Sequence, residues 1–250
     1  MRKNWSILFL SACLAFGFPE KKKITIWLCG DSTMSVKETR AFPETGWGMP
    51  FVNFFDSSVI VRNLAKNGRS TRTFIAEKLW QTVADNAREG DYVFIQFGHN
   101  DEAKEKTERY TTPEEYKSNL RKFITESRKN KAIPILLTPV SRRRFDSAGK
   151  VLETHSVYSA LVKDVAIETN TLFIDLDSKS RELYQKFGKE NSRLLFLQLK
   201  AGEHPNYPEG KEDNTHFNEL GARLIAQLVL QAIRESIPEL TERIVLPTKK

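Results

Sequence analysis

Residues Ile24–Met34 read ITIWLCGDSTM. An apolar run from Ile24 to Cys29 stops abruptly at Gly30, Asp31 and Ser32. Apolar residues ended by glycine and short polar side chains are the pattern of a buried strand running into a loop. In open α/β sheets, ligands bind beyond the carboxyl ends of the strands. A serine at that place is a candidate nucleophile. The same Asp31 and Ser32 would equally suit the cap of a following helix, so the reading depends on what the rest of the chain supplies.

Four more strand-like runs follow: Val59–Asn63, Tyr92–Gln96, Ile133–Thr138 and Thr171–Asp175. Each is short and rich in β-branched or aromatic residues. Most are apolar throughout, as expected of strands covered on both faces. Helical patterns separate them. Over Pro113–Asn130, Thr112 is placed as a cap, Pro113 sits in the first turn where its missing N–H is not needed, and Glu114 and Glu115 face the positive end of the helix dipole. Tyr116, Leu120, Phe123 and Ile124 then share one face. His155–Thr169 and Asn218–Ser236 read the same way, the latter with a stripe of Leu220, Leu224, Ile225 and Leu228. Alternating strands and helices imply an α/β fold, a parallel sheet with helices on both sides. Right-handed crossovers narrow the topology to the doubly wound kind. The chain shows no internal repeat, low-complexity tract or interdomain linker.

The 250 residues suffice for one large α/β domain with a full core. With 40% hydrophobic and 28% charged residues, the composition is globular and excludes a disordered chain. No apolar run reaches the roughly 18–20 residues of a membrane span. The N-terminus departs from the rest. Arg2 and Lys3 precede Trp5–Phe18, mostly apolar and small, and a charged Glu20–Lys23 follows. That is an export-signal pattern. Two cleavages are readable. One gives a signal peptide over residues 1–17, ending at Ala15-Phe16-Gly17. The other gives a signal peptide over residues 1–12 followed by a lipidated Cys13, since Leu10-Ser11-Ala12-Cys13 resembles a bacterial lipobox. The protein is therefore expected to be exported (periplasmic, on the cell surface or secreted), with its folded domain over residues 22–245. Membrane contact is expected only through such a lipid anchor. Cys13 and Cys29 are the two cysteines, and either cut leaves no pair inside the domain, so no disulfide is expected. The formal net charge is +7, and removing Arg2 and Lys3 leaves 37 basic against 32 acidic residues. Such a balance suits an acidic polymer. Nucleic acid would satisfy the charge, but no nucleic-acid motif accompanies it, and it is not expected as a partner.

The polar signals gather in the loops after the strands. Gly30-Asp31-Ser32 follows the first, Asn67–Arg72 the second, Gly98-His99-Asn100-Asp101 the third, and Thr138-Pro139-Val140 with Arg142-Arg143-Arg144 the fourth. Asp213 and His216 precede the last helix. Stability asks nothing special of one sheet edge, so this convergence points to a site. A serine hydroxyl becomes a useful nucleophile when a base takes its proton, most often a neutral histidine oriented by an acid. Of the four histidines, His216 is the best placed as base, with Asp213 three residues earlier as its acid. In a helical turn or tight loop that spacing sets both side chains on one side. The same D-x-x-H would also suit a helix N-cap with a nearby histidine. His99 is assigned a minor role, and His155 and His204 local or solvent hydrogen bonds. Acyl transfer also needs donors for the oxyanion. The Ser32 N–H, the Gly68 N–H and the Asn100 amide are available, although Gly68 also suits a plain turn and Asn100 a loop-closing bond. Phosphate-cradling motifs, metal-ligand spacings and the lipase elbow G-x-S-x-G are absent, so no cofactor and no metal are expected.

Gly30-Asp31-Ser32, Gly68, Gly98-His99-Asn100-Asp101 and Asp213-Asn214-Thr215-His216 resemble, in order and spacing, the four motif blocks of the SGNH (GDSL) hydrolases, from about Ile24 to Ile237. The resemblance implies a flavodoxin-like, three-layer α/β/α sandwich with a five-stranded parallel sheet, in agreement with the strand pattern. It implies Ser32 as nucleophile, His216 as base, Asp213 as the acid that orients it, and an oxyanion hole of the Ser32 and Gly68 N–H groups and the Asn100 side chain. Within that family, Gly30–Met34, Gly46-Trp47-Gly48, Gly68–Phe74, Phe97–Asp101, Thr138–Val140 with Arg142–Phe145, and Asn206–Phe217 are similar to the rhamnogalacturonan acetylesterases, which remove acetyl groups from galacturonate residues in pectin. The implied partner is an acetylated acidic plant cell-wall polysaccharide. Trp47 is a candidate for stacking on a sugar face, with burial in the core as the alternative, and Arg69, Arg72, His99 and Arg142 are candidate substrate contacts, the arginines equally suiting solvated positions or structural ion pairs. Arginine suits carboxylates because it can bind them with two parallel hydrogen bonds.

Two other readings keep part of this picture. An esterase for another acetylated glycan such as xylan, or for short-chain esters generally, uses the same chemistry on a different substrate. A surface glycan-binding lipoprotein uses the scaffold without the chemistry. The complete set of Ser32, Asp213, His216 and Asn100 argues against the latter, because binding alone does not need all four.

Overall fold

β1 (Ile24–Gly30) is the second strand of a five-stranded parallel sheet in a computed structural model of the protein, which describes residues 21–245. The export segment read from the sequence, Cys13 included, lies outside the described residues. The chain continues through α1 (Gly48–Phe51), β2 (Val59–Asn63), α2 (Thr71–Ala76), α3 (Leu79–Asn86), β3 (Tyr92–Gln96), α4 (Pro113–Lys129), β4 (Ile133–Leu137) and α5 (Ser156–Glu168). Next come β5 (Leu172–Ile174), α6 (Leu176–Asn191), β6 (Phe196–Leu199), β7 (Lys211–Phe217), α7 (Glu219–Ser236) and α8 (Pro238–Thr241). The five expected strands form the main sheet, each end within one residue of the expected position. Its order is β2-β1-β3-β4-β5, and all neighbours are parallel. This is the flavodoxin-like order, whose crevice opens at the carboxyl ends of β1 and β3 where the winding reverses.

Strand periodicity builds the two cores. Ile24, Ile26 and Leu28 point to one face and pack with Phe51, Tyr184, Ile225, Val229 and Ile233 from α1, α6 and α7. Trp27 and Cys29 point to the other and pack with Phe74, Trp80, Phe123 and Val162 from α2 to α5. Burying an apolar side chain of this size stabilises by about 1.5–3 kcal/mol, so a one-residue slip of β1 would exchange its faces between two filled cores.

The α4 start follows expectation. Thr112 caps it by accepting from the Glu115 N–H at 3.3 Å, and Tyr116, Leu120, Phe123 and Ile124 are buried. α7 differs. Its buried face runs through Gly221, Ala222, Ile225, Val229 and Ile233, and Leu220 is 47% exposed. Of the expected stripe, Ile225 is in the core, Leu224 and Leu228 pack partly buried at its edge, and Leu220 is turned outward. The cause is a close approach at Gly221, where a Cβ would lie 1.8 Å from the Leu195 carbonyl oxygen. Asn218 caps the helix and also donates to the Leu194 and Phe196 carbonyls, fixing that approach.

α6 and the antiparallel ribbon β6–β7 lie outside the strand–helix alternation read from the sequence. The ribbon is irregular. Between the matched pairs Phe196–Phe217 and Gln198–Glu212, β6 advances two residues and β7 five, so residues 213–216 bulge out of the ladder. No helix among the described residues is long and apolar enough to cross a membrane.

Candidate active site

The turn after β1 is shaped by Asp31. Its Oδ1 accepts from the Thr33 N–H at 2.9 Å and the Thr33 hydroxyl at 2.7 Å. This is a local turn closed by the side chain, not a helix cap. Behind it, Gln96 at the end of β3 donates to Thr33 Oγ1 at 2.8 Å and accepts from Trp47 Nε1 at 2.7 Å. Ser32 is held at the crevice between the two strands.

The bulge of β7 brings the partners from 184 residues away. Asp213 Oδ1 accepts from the N–H groups of Thr215 and His216 at 2.7 and 2.9 Å, folding the segment back on itself. Asp213 Oδ2 then lies 2.8 Å from His216 Nδ1, and His216 Nε2 lies 2.8 Å from Ser32 Oγ. A carboxylate can only accept, so Nδ1 carries the hydrogen and the Nε2 lone pair faces the serine hydroxyl. Burial on its own would raise the Asp213 carboxyl. The His216 side chain and the two N–H groups outweigh it and hold Asp213 at about 2. The helix cap that D-x-x-H could have signalled is made instead by Asn218.

Three donor groups share the cleft with this hydroxyl. Gly68 has φ +78°, a left-handed conformation that favours glycine. Among the described residues, neither the Ser32 N–H nor the Gly68 N–H has an acceptor. Asn100 gives one amide hydrogen to the Arg69 carbonyl at 2.9 Å, which leaves the other for a ligand. Ser32, Gly68, Asn100, Arg109, Arg142 and His216 line one open cleft of about 510 Å³. Cys29 is fully buried and its thiol is pushed up by burial, so it is no rival nucleophile.

The expected substrate contacts divide. His99 and Arg142 line the cleft. His99 is 4% exposed, stacked edge-on against His155 at 4.2 Å, and its pKa is driven well below the ordinary range by burial and then by the nearby His155 and Arg142. His155 is itself buried, with Nδ1 2.9 Å from Glu102 Oε1, rather than solvated. Arg142 donates to Thr215 Oγ1 at 2.8 Å. Trp47 is a correction. It is completely buried, edge-on to Phe51, and offers no face to a sugar. Arg69 and Arg72 are corrections too. Arg69 is committed to Glu77 and the Asn67 carbonyl, Arg72 to Glu115 and the Tyr110 carbonyl, and neither lines the cleft.

Two residues at the site escaped the sequence reading. Lys37 has a fully buried side chain, with Nζ donating to the Ser32 carbonyl at 2.5 Å and to Asn67 Oδ1 at 2.7 Å, and lying 2.7 Å from Glu44 Oε1. It ties the loop after β1 to the loop after β2, and so fixes Ser32 relative to Gly68. Its partners come from three separate segments, and no local pattern announces them. Arg109 stands in a loop with no motif of its own, and only its positive charge hinted at it.

The parallel sheet, the serine at its crevice and the histidine–aspartate pair define a hydrolase of the SGNH type on a three-layer α/β/α fold. The sequence model of the GDSL-like lipase/acylhydrolase family matches residues 28–224. The chain belongs to this family and is a carboxylic ester hydrolase. It is 42% identical over 215 residues to the rhamnogalacturonan acetylesterase RhgT of Bacillus subtilis, covering 86% of this chain and 91% of that one. It is 35% identical over 221 residues to the probable rhamnogalacturonan acetylesterase YesY of the same organism, covering 88% and 97%. Among solved structures, protein YXIM of Bacillus subtilis superposes with a TM-score of 0.75 at 28% identity, covering 87% of this chain and 58% of that chain. The chain thus spans somewhat over half the length of that structure.

Proposed function

We propose that the protein is a serine carbohydrate esterase that removes O-acetyl groups from rhamnogalacturonan. The observation that carries this reading is the Asp213–His216–Ser32 relay, closed at 2.8 Å on both sides and opening onto the cleft. His216 Nε2 takes the hydroxyl proton as Ser32 Oγ attacks the acetyl carbonyl carbon. The carbonyl oxygen becomes an oxyanion and receives hydrogen bonds from the Ser32 and Gly68 N–H groups and from Asn100. On collapse, the bond to the sugar oxygen breaks, His216 returns the proton to that oxygen, and the acetyl group stays on Ser32. Water then attacks the acetyl-serine and gives a proton to His216. The second collapse releases acetate and restores the hydroxyl. Asp213, held at about 2, stays anionic and stabilises the imidazolium in both halves.

The likeness to RhgT and YesY over most of their length supports the substrate. So do Lys106, Arg109 and Arg142 along the cleft, which suit an acidic polymer. Acetate release from a panel of acetylated polysaccharides tests the reading. Acetylated rhamnogalacturonan is expected to react fastest, and equal rates on acetylated xylan would overturn the substrate. Export belongs to the same proposal. The mass of the mature N-terminus is expected to show a cut near residue 17 or a lipid on Cys13. A full-length chain retained in the cytoplasm would contradict it.

A further inference from the structure

Arg109 differs from the other arginines of this region. Its guanidinium makes no hydrogen bond among the described residues. Its ionic neighbour is Glu108, 3.8 Å from Nε, on a side chain that is 71% exposed. Yet the Arg109 side chain is only 20% exposed, and its Nε is buried without a partner. It therefore lies against the protein instead of extending into water. What it lies against is Gly68, where a Cβ would come within 3.2 Å of Arg109 Nη1. The backbone beneath it is anchored, with the Arg109 N–H donating to the Lys106 carbonyl at 3.0 Å and the Thr111 N–H to the Asp101 carbonyl at 3.0 Å.

A guanidinium is a planar fork of five N–H donors that never loses its charge. Holding one half-buried with its donors uncommitted is unfavourable unless a ligand uses them. A carboxylate matches the fork with two parallel bonds. The charge of the cleft agrees. Glu44 is neutralised by Lys37, and the remaining acid of the lining, Glu105, is outnumbered by Lys106, Arg109 and Arg142. Resting on the esterase reading above, we propose that Arg109 is a specificity residue that binds the carboxylate of a uronic acid at or next to the sugar bearing the scissile acetyl group. Its place beside Gly68 puts that carboxylate within one sugar of the ester carbonyl. Discrimination against neutral acetylated glycans follows, because a neutral sugar leaves the guanidinium unpaired.

Two readouts test this on the full chain, comparing wild type, Arg109→Gln and Arg109→Lys. The first is kcat/KM on acetylated rhamnogalacturonan oligosaccharides and on neutral p-nitrophenyl acetate. Arg109→Gln is expected to lose about tenfold to a hundredfold more on the acidic substrate than on the neutral ester, with part of the difference recovered by Arg109→Lys. The second is calorimetric binding of unacetylated oligogalacturonate, expected to weaken at least about tenfold in Arg109→Gln and to fade with added salt. Equal losses on both esters, or undiminished oligogalacturonate binding by Arg109→Gln, would overturn the proposal. Arg109-dependent oligogalacturonate binding by a wild type that releases no acetate from any polysaccharide would uphold the subsite and overturn the esterase reading instead.

Discussion

Asp213→Asn replaces a single oxygen in the relay by an N–H₂ group. The remaining amide oxygen can still accept from the Thr215 and His216 N–H groups, now at 2.7 and 2.9 Å, so the turn that carries His216 survives. The new nitrogen stands where Oδ2 was, 2.8 Å from His216 Nδ1, and it can only donate. His216 must then present its lone pair at Nδ1 and carry its hydrogen on Nε2, where it cannot take the Ser32 proton. A triad whose acid is amidated loses about four orders of magnitude in kcat, and a loss of at least about a thousandfold is expected here. Stability changes far less. The carboxyl sits at about 2 instead of 3.8. At about 1.4 kcal/mol per unit this is at most about 2.5 kcal/mol, and solvent screening reduces it to about 1–2 kcal/mol. Because the folded value is the lower one, that stabilisation is complete above about pH 4 and is lost as the pH falls through about 2. Acetate release at neutral pH gives the first effect, and urea unfolding between about pH 5 and pH 2 the second. A folded Asp213→Asn protein with kcat within tenfold of wild type, or with the same acid-induced loss of stability, would refute the reasoning.

Other perturbations reach the frame around the site. Lys37→Met strands the Glu44 carboxylate and removes the cation shared by Ser32 and Asn67, and is expected to cost about 3–5 kcal/mol in urea unfolding; a loss below about 1 kcal/mol would show that the pair is not structural. Trp47→Phe deletes the buried bond to Gln96 and is expected to lower stability by about 1–3 kcal/mol with KM for the polysaccharide unchanged; a raised KM at full stability would return Trp47 to the substrate. Asp101 is raised to about 7 by burial, despite hydrogen bonds from Thr71. The folded chain then holds a proton that the unfolded chain gives up, so stability falls as pH rises from about 4 to 7, and Asp101→Asn should flatten that slope in unfolding curves taken across the range.

The main sheet was legible because its strands are short apolar or β-branched runs ended by polar residues; burial on both faces demands that pattern of β1, β3 and β4, whereas the edge strands β2 and β5 are partly exposed. The loops after β1 and β3 were legible for a related reason, since glycine and short polar side chains mark where strands stop. The D-x-x-H spacing offered His216 as the base for Ser32, and the resemblance to SGNH hydrolases chose that pairing over a helix cap. What stayed hidden depends on geometry between distant segments. The β7 bulge arises from a mismatch with β6, whereas the sequence suggested a helical turn or tight loop for Asp213 and His216. The buried face of α7 is centred on Gly221 against Leu195, which leaves Leu224 and Leu228 at its edge and Leu220 outside it. Trp47 could be read either way, because an indole suits a sugar face and a core equally well, and its neighbours place it in the core. Arg69 and Arg72 lie in a motif block and Arg109 does not, yet only their neighbours in space show that the first two are committed to internal partners and Arg109 is not.

The central claim is that Ser32 Oγ is the atom His216 activates. Treatment with a phosphonylating ester analogue, followed by peptide mapping, tests it most directly, because such reagents form a stable bond with an activated serine hydroxyl. Modification of Ser32 alone, in step with loss of acetate release and strongly slowed in His216→Ala, is the predicted result. Inactivation with the label on another residue and Ser32 unmodified would contradict it.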